Sequence, residues 1–323
     1  MFFKKYWQII TATLAFIALL LIATFFDLQI SDALVDLEDG EYLSKNLFGI
    51  FFEIIGELPF YIGLGVASII LTVKLNSVKG KIKILGVIFF ILGGIVSFYF
   101  VYQIIFEYLG EHLKFEHLLE GVIDDILYFI VGTATNFSLL LLFKKFSAKT
   151  IDKLVVFAFV VFITGVLSQI LTAGLKSVAG RARYRMMHVL TTKGVEDGFS
   201  YYTPWYVFNG KRSVPELWKS LGIASNGFRS FPSGHTSCAA MTCVLLFLPT
   251  LFAKYSVKKY KITITLIAVL FPIIVAISRV VVGAHFLTDV LIGGAMTFVS
   301  YFIALLIIKV LKRKFKFLEI NEL

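Results

Sequence analysis

The stretch "ILGVIFFILGGIVSFYFVYQII", residues 84–105, runs for 22 residues without one charged side chain. As an α-helix it would be about 33 Å long, because each residue adds about 1.5 Å. The hydrocarbon core of a bilayer is about 30 Å thick, so this stretch predicts a membrane-crossing helix. The rest of the chain is similar, since 58% of its 323 residues are hydrophobic and only 16% are charged. The composition excludes an ordinary soluble domain and indicates an integral membrane protein.

Apolar stretches of this kind recur along the chain, and the short alternating strands of a membrane barrel do not. We therefore expect an all-α fold, a polytopic membrane bundle of about eight transmembrane helices. The first stretch follows the charged start "MFFKKY" and lacks a small-residue cleavage site, which favours a retained signal-anchor. The expected helices cover approximately residues 7–26, 59–75, 84–105, 123–143, 154–175, 236–253, 262–282 and 289–309.

The distribution of Lys and Arg predicts the orientation of these helices. With the N-terminus inside, the cytoplasmic connections and tails hold 19 of the 31 basic residues. The first outer loop, 27–58, instead carries one lysine and eight acidic residues. Since cytoplasmic loops are enriched in positive charge, we expect both termini in the cytoplasm. The net charge of +10 comes largely from short clusters between apolar segments, which favours lipid headgroups over nucleic acid as partners.

Three polar stretches stand out at the ends of apolar segments: "LKSVAGRARYR" (175–185), "FPSGH" (231–235) and "SRVVVGAHFLTD" (278–289). Each alone has an ordinary interpretation as interfacial arginines, a capped helix start or a boundary histidine. The expected topology, however, puts all three on the outer face. Ionisable groups at a membrane edge are costly, so their convergence indicates a functional site.

The chemistry that fits this combination is the binding of a phosphate ester. Lys176, Arg183 and Arg279 are expected to neutralise phosphate oxygens, the arginines by two parallel hydrogen bonds. Backbone N–H groups around Ser233 begin a helix and favour an anion, and Gly234 permits a close approach.

The remaining groups suit cleavage of that ester. His285 and Asp289 lie four residues apart and share a face of a helix. Asp289 is expected to accept a hydrogen bond from one ring nitrogen of His285 and leave the other as a nucleophile. His235 is then available to protonate the departing oxygen.

This pattern resembles the three-part signature of the type 2 phosphatidic acid phosphatase superfamily, over roughly residues 176–309. That signature is a lysine, six residues and Arg-Pro; then Pro-Ser-Gly-His; then Ser-Arg, five residues, His, three residues and Asp. Its parts fall on Lys176 and Arg183, on Pro232, Ser233, Gly234 and His235, and on Ser278, Arg279, His285 and Asp289.

One position departs from the signature, because Tyr184 stands where the family has proline. Proline supplies no functional group, so we expect the chemistry to be retained. Arg181 and Arg185 are additional cations, with two interpretations left open: a second phosphate site, or contact with lipid headgroups. Arg229 has no assigned role.

The resemblance implies metal-independent hydrolysis through a phosphohistidine on His285, without a cofactor. We also expect two regions: 1–153, with about four transmembrane helices, and 154–323, the catalytic core with an outer loop at 184–232. No metal-ligand spacing was found elsewhere. Cys238 and Cys243 would point to different sides of one helix, and His112 and His117 favour an ordinary surface helix.

A site at the bilayer edge suits a lipid whose phosphate lies at headgroup depth. The expected substrates are phosphatidate, phosphatidylglycerophosphate, polyprenyl pyrophosphate or lipid A, with the choice among them open. The expected location is a bacterial inner membrane with the site facing the periplasm. Two alternatives remain: a lipid phosphotransferase using the same site, and, more distantly, a transporter, which predicts charges near the middle of broken helices. The oligomeric state is left open.

Overall fold

A computed structural model describes residues 2–35, 46–78, 80–102, 122–223 and 226–314. Within these ranges the chain is helical and has no strand, which confirms the all-α fold. His112, His117 and the tail after residue 314 lie outside the described residues. The α-helices are α1 Phe2–Leu34, α2 Leu47–Gly56, α3 Leu58–Asn76, α4 Lys83–Tyr102, α5 Val122–Lys144, α6 Ala148–Ala179, α7 Tyr184–Thr192, α8 Glu216–Lys219, α9 Gly234–Ala239, α10 Leu248–Leu251, α11 Ala253–Ser256, α12 Lys258–Val281 and α13 Leu287–Lys314.

Eight helical spans in the described residues are long and apolar enough to cross a membrane, as expected. Many of their apolar side chains are exposed, which suits contact with lipid tails. The span boundaries differ clearly from the expectation in the first, second and fifth spans, and the fifth covers Ala148–Thr192 instead of 154–175. The first span continues to Leu34 instead of ending at residue 26, and the second begins at Leu47 instead of residue 59. The helix kinks at Phe26, where the expected segment ends, and its continuation carries Asp27 and Ser31, which are both buried.

The chain forms two compact units that interleave along the sequence. The first comprises Met1–Gly49, Thr172–Gly234 and Ala276–Gly293, and the second Ile50–Leu171, His235–Val275 and Gly294–Leu323. The division near residue 153 that the sequence suggests stays a prediction.

The second unit is built on helices that approach closely through small residues. A Cβ on Gly132 of α5 would lie 2.8 Å from the backbone nitrogen of Phe98 on α4, so only glycine fits there. Nearby, the Asn136 side-chain amide donates to the Phe90 carbonyl over 3.0 Å. Close backbone contact and interhelical hydrogen bonds are the usual means of joining helices in lipid.

The first unit has an aromatic core. Tyr184 packs against Phe286 with ring centroids 6.3 Å apart, and Trp218 packs against Phe228 at 6.1 Å. The described part of the expected outer loop 184–232 is therefore folded, and it begins with α7. Aromatic contacts of this kind stabilise by about 1 kcal/mol each beyond their buried area.

Candidate active site

The first polar stretch follows the end of α6. Lys176 is half-buried in the last turn of α6, and the backbone then leaves the helix at Gly180. Gly180 has φ +55°, and a Cβ there would lie 2.1 Å from the Gly210 carbonyl, so the turn requires glycine. Arg183 is the N-cap of α7, and its N–H donates to the Gly227 carbonyl over 2.8 Å. This bond fixes the position of Arg183 without the family's proline.

Tyr184, which replaces that proline, has a packing role. It is the first residue of α7 and is buried against Phe199 and Phe286. The backbone N–H of Arg185 donates to the Gly283 carbonyl over 2.9 Å, which ties α7 to the turn before His285. The substitution therefore leaves the stretch firmly held.

His285 lies between α12 and α13 and is 2% exposed. Its Nδ1 lies 2.5 Å from the backbone carbonyl oxygen of Ser230. A carbonyl oxygen can only accept a hydrogen bond, so Nδ1 carries the proton of the neutral ring. Nε2 then carries the lone pair that a nucleophile needs.

Asp289 acts differently from our expectation. Its Oδ2 lies 3.8 Å from His285 Nδ1, which is too long for a hydrogen bond. The same oxygen instead accepts from the Ser230 hydroxyl over 2.5 Å and from the Phe286 N–H over 2.9 Å. The Ser230 carbonyl occupies the position we expected for the carboxylate, so Asp289 reaches His285 through Ser230.

The surroundings of His285 favour its neutral form. Burial lowers the pKa of the imidazole from its ordinary value of 6.5 to about 3. The nearby Asp289 carboxylate opposes that shift, whereas the positive charges of Arg183 and Lys176 add to it. The imidazole is therefore neutral at physiological pH, in the state that can attack an electrophile.

Both sequence interpretations of Arg181 are wrong. Its side chain is 1% exposed, so it does not face lipid headgroups, and it forms ion pairs with Asp27 at 2.8 Å and Asp289 at 2.6 Å. The guanidinium also stacks on the Phe286 ring, 4.1 Å from its centroid. A guanidinium committed to two buried carboxylates is not available to a second phosphate.

Two of the other expected phosphate ligands of the first unit, Lys176 and Ser233, lie beside Gly234 at the start of α9. Lys176 Nζ would lie 3.8 Å from a Cβ on Gly234, so the ammonium is beside that glycine without a clash. The Ser233 N–H donates to the Asp289 carbonyl over 3.0 Å and is therefore not available to an anion, contrary to our expectation. Arg279 is 1% exposed and donates to the Gly49 carbonyl, while its own carbonyl accepts the His285 N–H.

His235 belongs to the second unit, directly after Gly234 in the chain. Its Nε2 lies 3.8 Å from Oε1 of Glu57, an ion pair when the imidazole is protonated. Both side chains are partly exposed, 18% for His235 and 16% for Glu57. A proton-transfer group needs this combination of a polar partner and access.

The described residues contain no group of three or more His, Cys, Asp or Glu side chains that could hold a metal ion. Cys238 and Cys243 are both buried and unlinked. Independence of metal stays a prediction about the reaction.

Three residues that contact the three polar stretches escaped the sequence analysis: Asp27, Ser230 and Glu57. Asp27 follows an apolar run and was counted with the outer loop. Its spacing of four residues from Ser31 would put both side chains on one face of a continuing helix, which is a usable signal. Ser230 acts chiefly through its backbone carbonyl, which leaves no trace in a sequence. Glu57 lies far along the chain from His235, so no spacing links them.

A family model described as the PAP2 superfamily matches residues 149–316, just over half of the chain. This match confirms the resemblance predicted from the three polar stretches. The chain is also 38% identical over 76 residues to phosphatidylglycerophosphatase B of Bacillus subtilis (strain 168). That alignment covers 23% of this chain and 36% of the relative, so the chain spans about a third of the curated relative it matches. No solved structure matches it.

Proposed function

The chain belongs to the PAP2 superfamily, and from this premise we propose that it is a membrane lipid phosphatase. In this proposal it removes phosphate from a lipid through a phosphohistidine on His285. The observation that carries the proposal is the hydrogen bond from His285 Nδ1 to the Ser230 carbonyl. It leaves Nε2 with a lone pair on a buried, neutral ring.

Binding of the phosphate is assigned to the cations around that ring. Arg183 and Lys176 act electrostatically on His285, which supports their approach to the same anion. Arg279 is buried beside the backbone of His285 and completes the proposed set. Charged donors in a dry site stabilise the negative charge of a transferring phosphoryl group strongly.

The proposed reaction has two steps. First, Nε2 of His285 attacks phosphorus, the bond to the lipid oxygen breaks, and His235 gives that oxygen a proton. Next, water attacks the phosphorus atom while His235 takes a proton from the water. The bond from phosphorus to Nε2 of His285 breaks, and inorganic phosphate leaves. The two steps return both histidines to their starting states, as microscopic reversibility requires for an acid that becomes a base.

The proposed substrate is a lipid phosphomonoester or pyrophosphate at headgroup depth. Phosphatidylglycerophosphate is tested first because the Bacillus subtilis relative carries its name. Phosphatidate, polyprenyl pyrophosphate and lipid A complete the panel. We propose an inner-membrane location with the site facing the periplasm, on the basis of the Lys and Arg distribution.

Phosphate release by the detergent-purified protein tests the proposal, with each lipid of the panel and with a chelator present. We expect release from at least one lipid, unaffected by the chelator. His285→Ala should lower kcat by about 10⁴-fold or more, since loss of a nucleophile removes the covalent route. The matched control is His188→Ala, because His188 lies on α7 and has no proposed role in the reaction.

Three outcomes would contradict parts of the proposal. Full activity in His285→Ala would remove the phosphohistidine. Loss of activity with chelator, restored by a divalent ion, would overturn metal independence. Labelled phosphate that appears in a second lipid instead of in solution would identify a phosphotransferase.

A further inference from the structure

A buried charged cluster of the first unit lies behind His285 and has no role in the steps above. Its centre is the guanidinium of Arg181, whose three nitrogen atoms all donate hydrogen bonds. Nη1 donates to Asp289 Oδ1 over 2.6 Å, and Nη2 donates to Asp27 Oδ2 over 2.8 Å. Nε donates to the Thr203 carbonyl over 2.8 Å. The planar, always charged guanidinium thus fixes the direction of two carboxylates at once.

The backbone of Arg181 reaches the same place by a second route. Its carbonyl accepts the Ser230 N–H over 3.1 Å. The Ser230 hydroxyl donates to Asp289, and the Ser230 carbonyl accepts from His285. The direct partner of the imidazole is therefore held on one side by the backbone of Arg181 and on the other by a carboxylate that Arg181 binds.

Asp27 joins α1 to this arrangement at the first turn of α13. Its Oδ1 accepts the Thr288 N–H over 3.0 Å, and its Oδ2 accepts the Thr288 hydroxyl as well as Arg181. Thr288 immediately precedes Asp289, so Asp27 holds the backbone that carries the carboxylate. A carboxylate on one helix thereby helps to fix one on another.

The three charged side chains of this cluster balance one another's charge in a buried place. Asp27, Arg181 and Asp289 are each at most 1% exposed. Two carboxylates share one guanidinium, so removing the cation leaves both acids buried without it. Buried ion pairs contribute little net stability but constrain geometry, and removing one partner is disruptive.

We propose that Asp27 and Arg181 are positioning residues that set the orientation of His285 through Asp289 and Ser230. The inference rests on the proposed nucleophilic role of His285. Neither residue contacts the phosphate. Together they keep the Ser230 carbonyl in place, and this carbonyl keeps the proton on Nδ1 and the lone pair on Nε2. Small shifts of a reacting group have large effects on rate, because attack requires alignment with the phosphorus atom.

Asp27→Asn is the most informative variant, since it removes the charge while keeping the size of the side chain. We expect kcat to fall by about tenfold to a hundredfold, the typical effect of losing a partner behind a reacting group. KM should change by less than about twofold, because Asp27 does not contact the substrate. Arg181→Lys, which keeps the charge but not the planar fork, should lower kcat at least as much. Glu216→Gln is the matched control, an acid of the same unit whose 86% exposed side chain pairs with Lys219 on α8, and its variant should retain normal kcat.

A second measurement separates positioning from simple loss of folded protein. Nitrogen NMR of protein labelled only at histidine reports which ring nitrogen carries the proton, and the His285 signals are identified by their absence in His285→Ala. The wild type should give a single Nδ1–H tautomer at His285. Asp27→Asn and Arg181→Lys should give a mixture of tautomers or a protonated ring, in samples that elute as monodisperse folded protein.

The outcomes are distinguishable. Normal kcat per folded molecule in both variants, or unchanged His285 signals in both, would overturn the positioning role. If the wild type releases phosphate from no lipid but the variants show altered His285 signals, the positioning role is supported and the proposed function is overturned. Lower kcat, constant KM and altered signals together would support both.

Discussion

The two histidines of the proposed site have contrasting surroundings. His285 is nearly fully buried, and its Nδ1 is bound to a backbone carbonyl. His235 is partly exposed and lies 3.8 Å from a carboxylate of Glu57. The first arrangement holds one proton in one place on a neutral ring. The second allows a ring to gain and lose a proton beside a counter-charge.

This difference matches the two tasks that phosphate transfer through a histidine requires. A nucleophile must have a free lone pair, whereas an acid that later acts as a base must exchange its proton with a leaving group and with water. Environments that differ in burial and in charged neighbours divide such tasks between side chains of one type. The contrast therefore supports His285 as nucleophile and His235 as the proton-transfer group.

The largest effect is expected for His235→Ala on a lipid substrate. Without a proton donor the lipid oxygen must leave as an alkoxide, so kcat should fall by about 10²- to 10⁴-fold. An activated aryl phosphate has a good leaving group, and its first step should be much less affected. Burst kinetics with both substrates measure the difference between the two losses of rate. Equal losses of the burst rate would remove the general-acid assignment.

A smaller effect is expected for Glu57→Gln, which keeps the shape beside His235 but removes the counter-charge. Lipid hydrolysis should slow by about tenfold, while the burst with aryl phosphate stays near its normal rate. Asp152→Asn is the control, because Asp152 is an exposed acid of the same unit that pairs with Lys74. If Glu57→Gln and Asp152→Asn behave alike on both substrates, the pairing of Glu57 with His235 has no catalytic role.

The smallest effect concerns the neutral state of buried His285 and its dependence on pH. The unfolded imidazole gains a proton below about pH 6.5, but the folded one stays neutral because its pKa is lowered to about 3. The stability contribution of this group is thus complete above pH 6.5 and is lost as the pH falls below it. Between pH 7.5 and 5.5 the loss should be about 1.4 kcal/mol.

Thermal unfolding of the wild type and of His285→Ala, at pH 7.5 and pH 5.5, measures this difference. The wild type should lose more stability on acidification than the variant. Parallel pH dependence in the two proteins would mean that His285 is not buried in its neutral form.

Much of the fold was predictable because every span in lipid must satisfy its own backbone hydrogen bonds, which a helix does. The uncharged run of α4 and its counterparts had to be helical and long enough to cross, and hydropathy identifies such runs. Helix ends were less predictable. The first helix kinks at Phe26 and continues through Asp27, because tertiary partners satisfy that carboxylate, and hydropathy does not register partners.

The site residues also fall into a group that the sequence predicts and a group that only the structure identifies. Lys176, Arg183, His285 and Asp289 were recognisable from residue type and spacing alone. Arg181 was recognised as a cation but assigned to a second phosphate or to lipid headgroups, because its partners come from α1 and α13. Whether an arginine binds a phosphate or a carboxylate depends on what lies beside it.

The sequence by itself determined the class of the protein, its spanning helices and the three polar stretches, because these depend on local composition and spacing. The tertiary structure decided which ring nitrogen of His285 carries the proton and which residues hold Asp289. Those properties come from directional hydrogen bonds between segments as far apart as Asp27 and Thr288, and only folding brings such segments together.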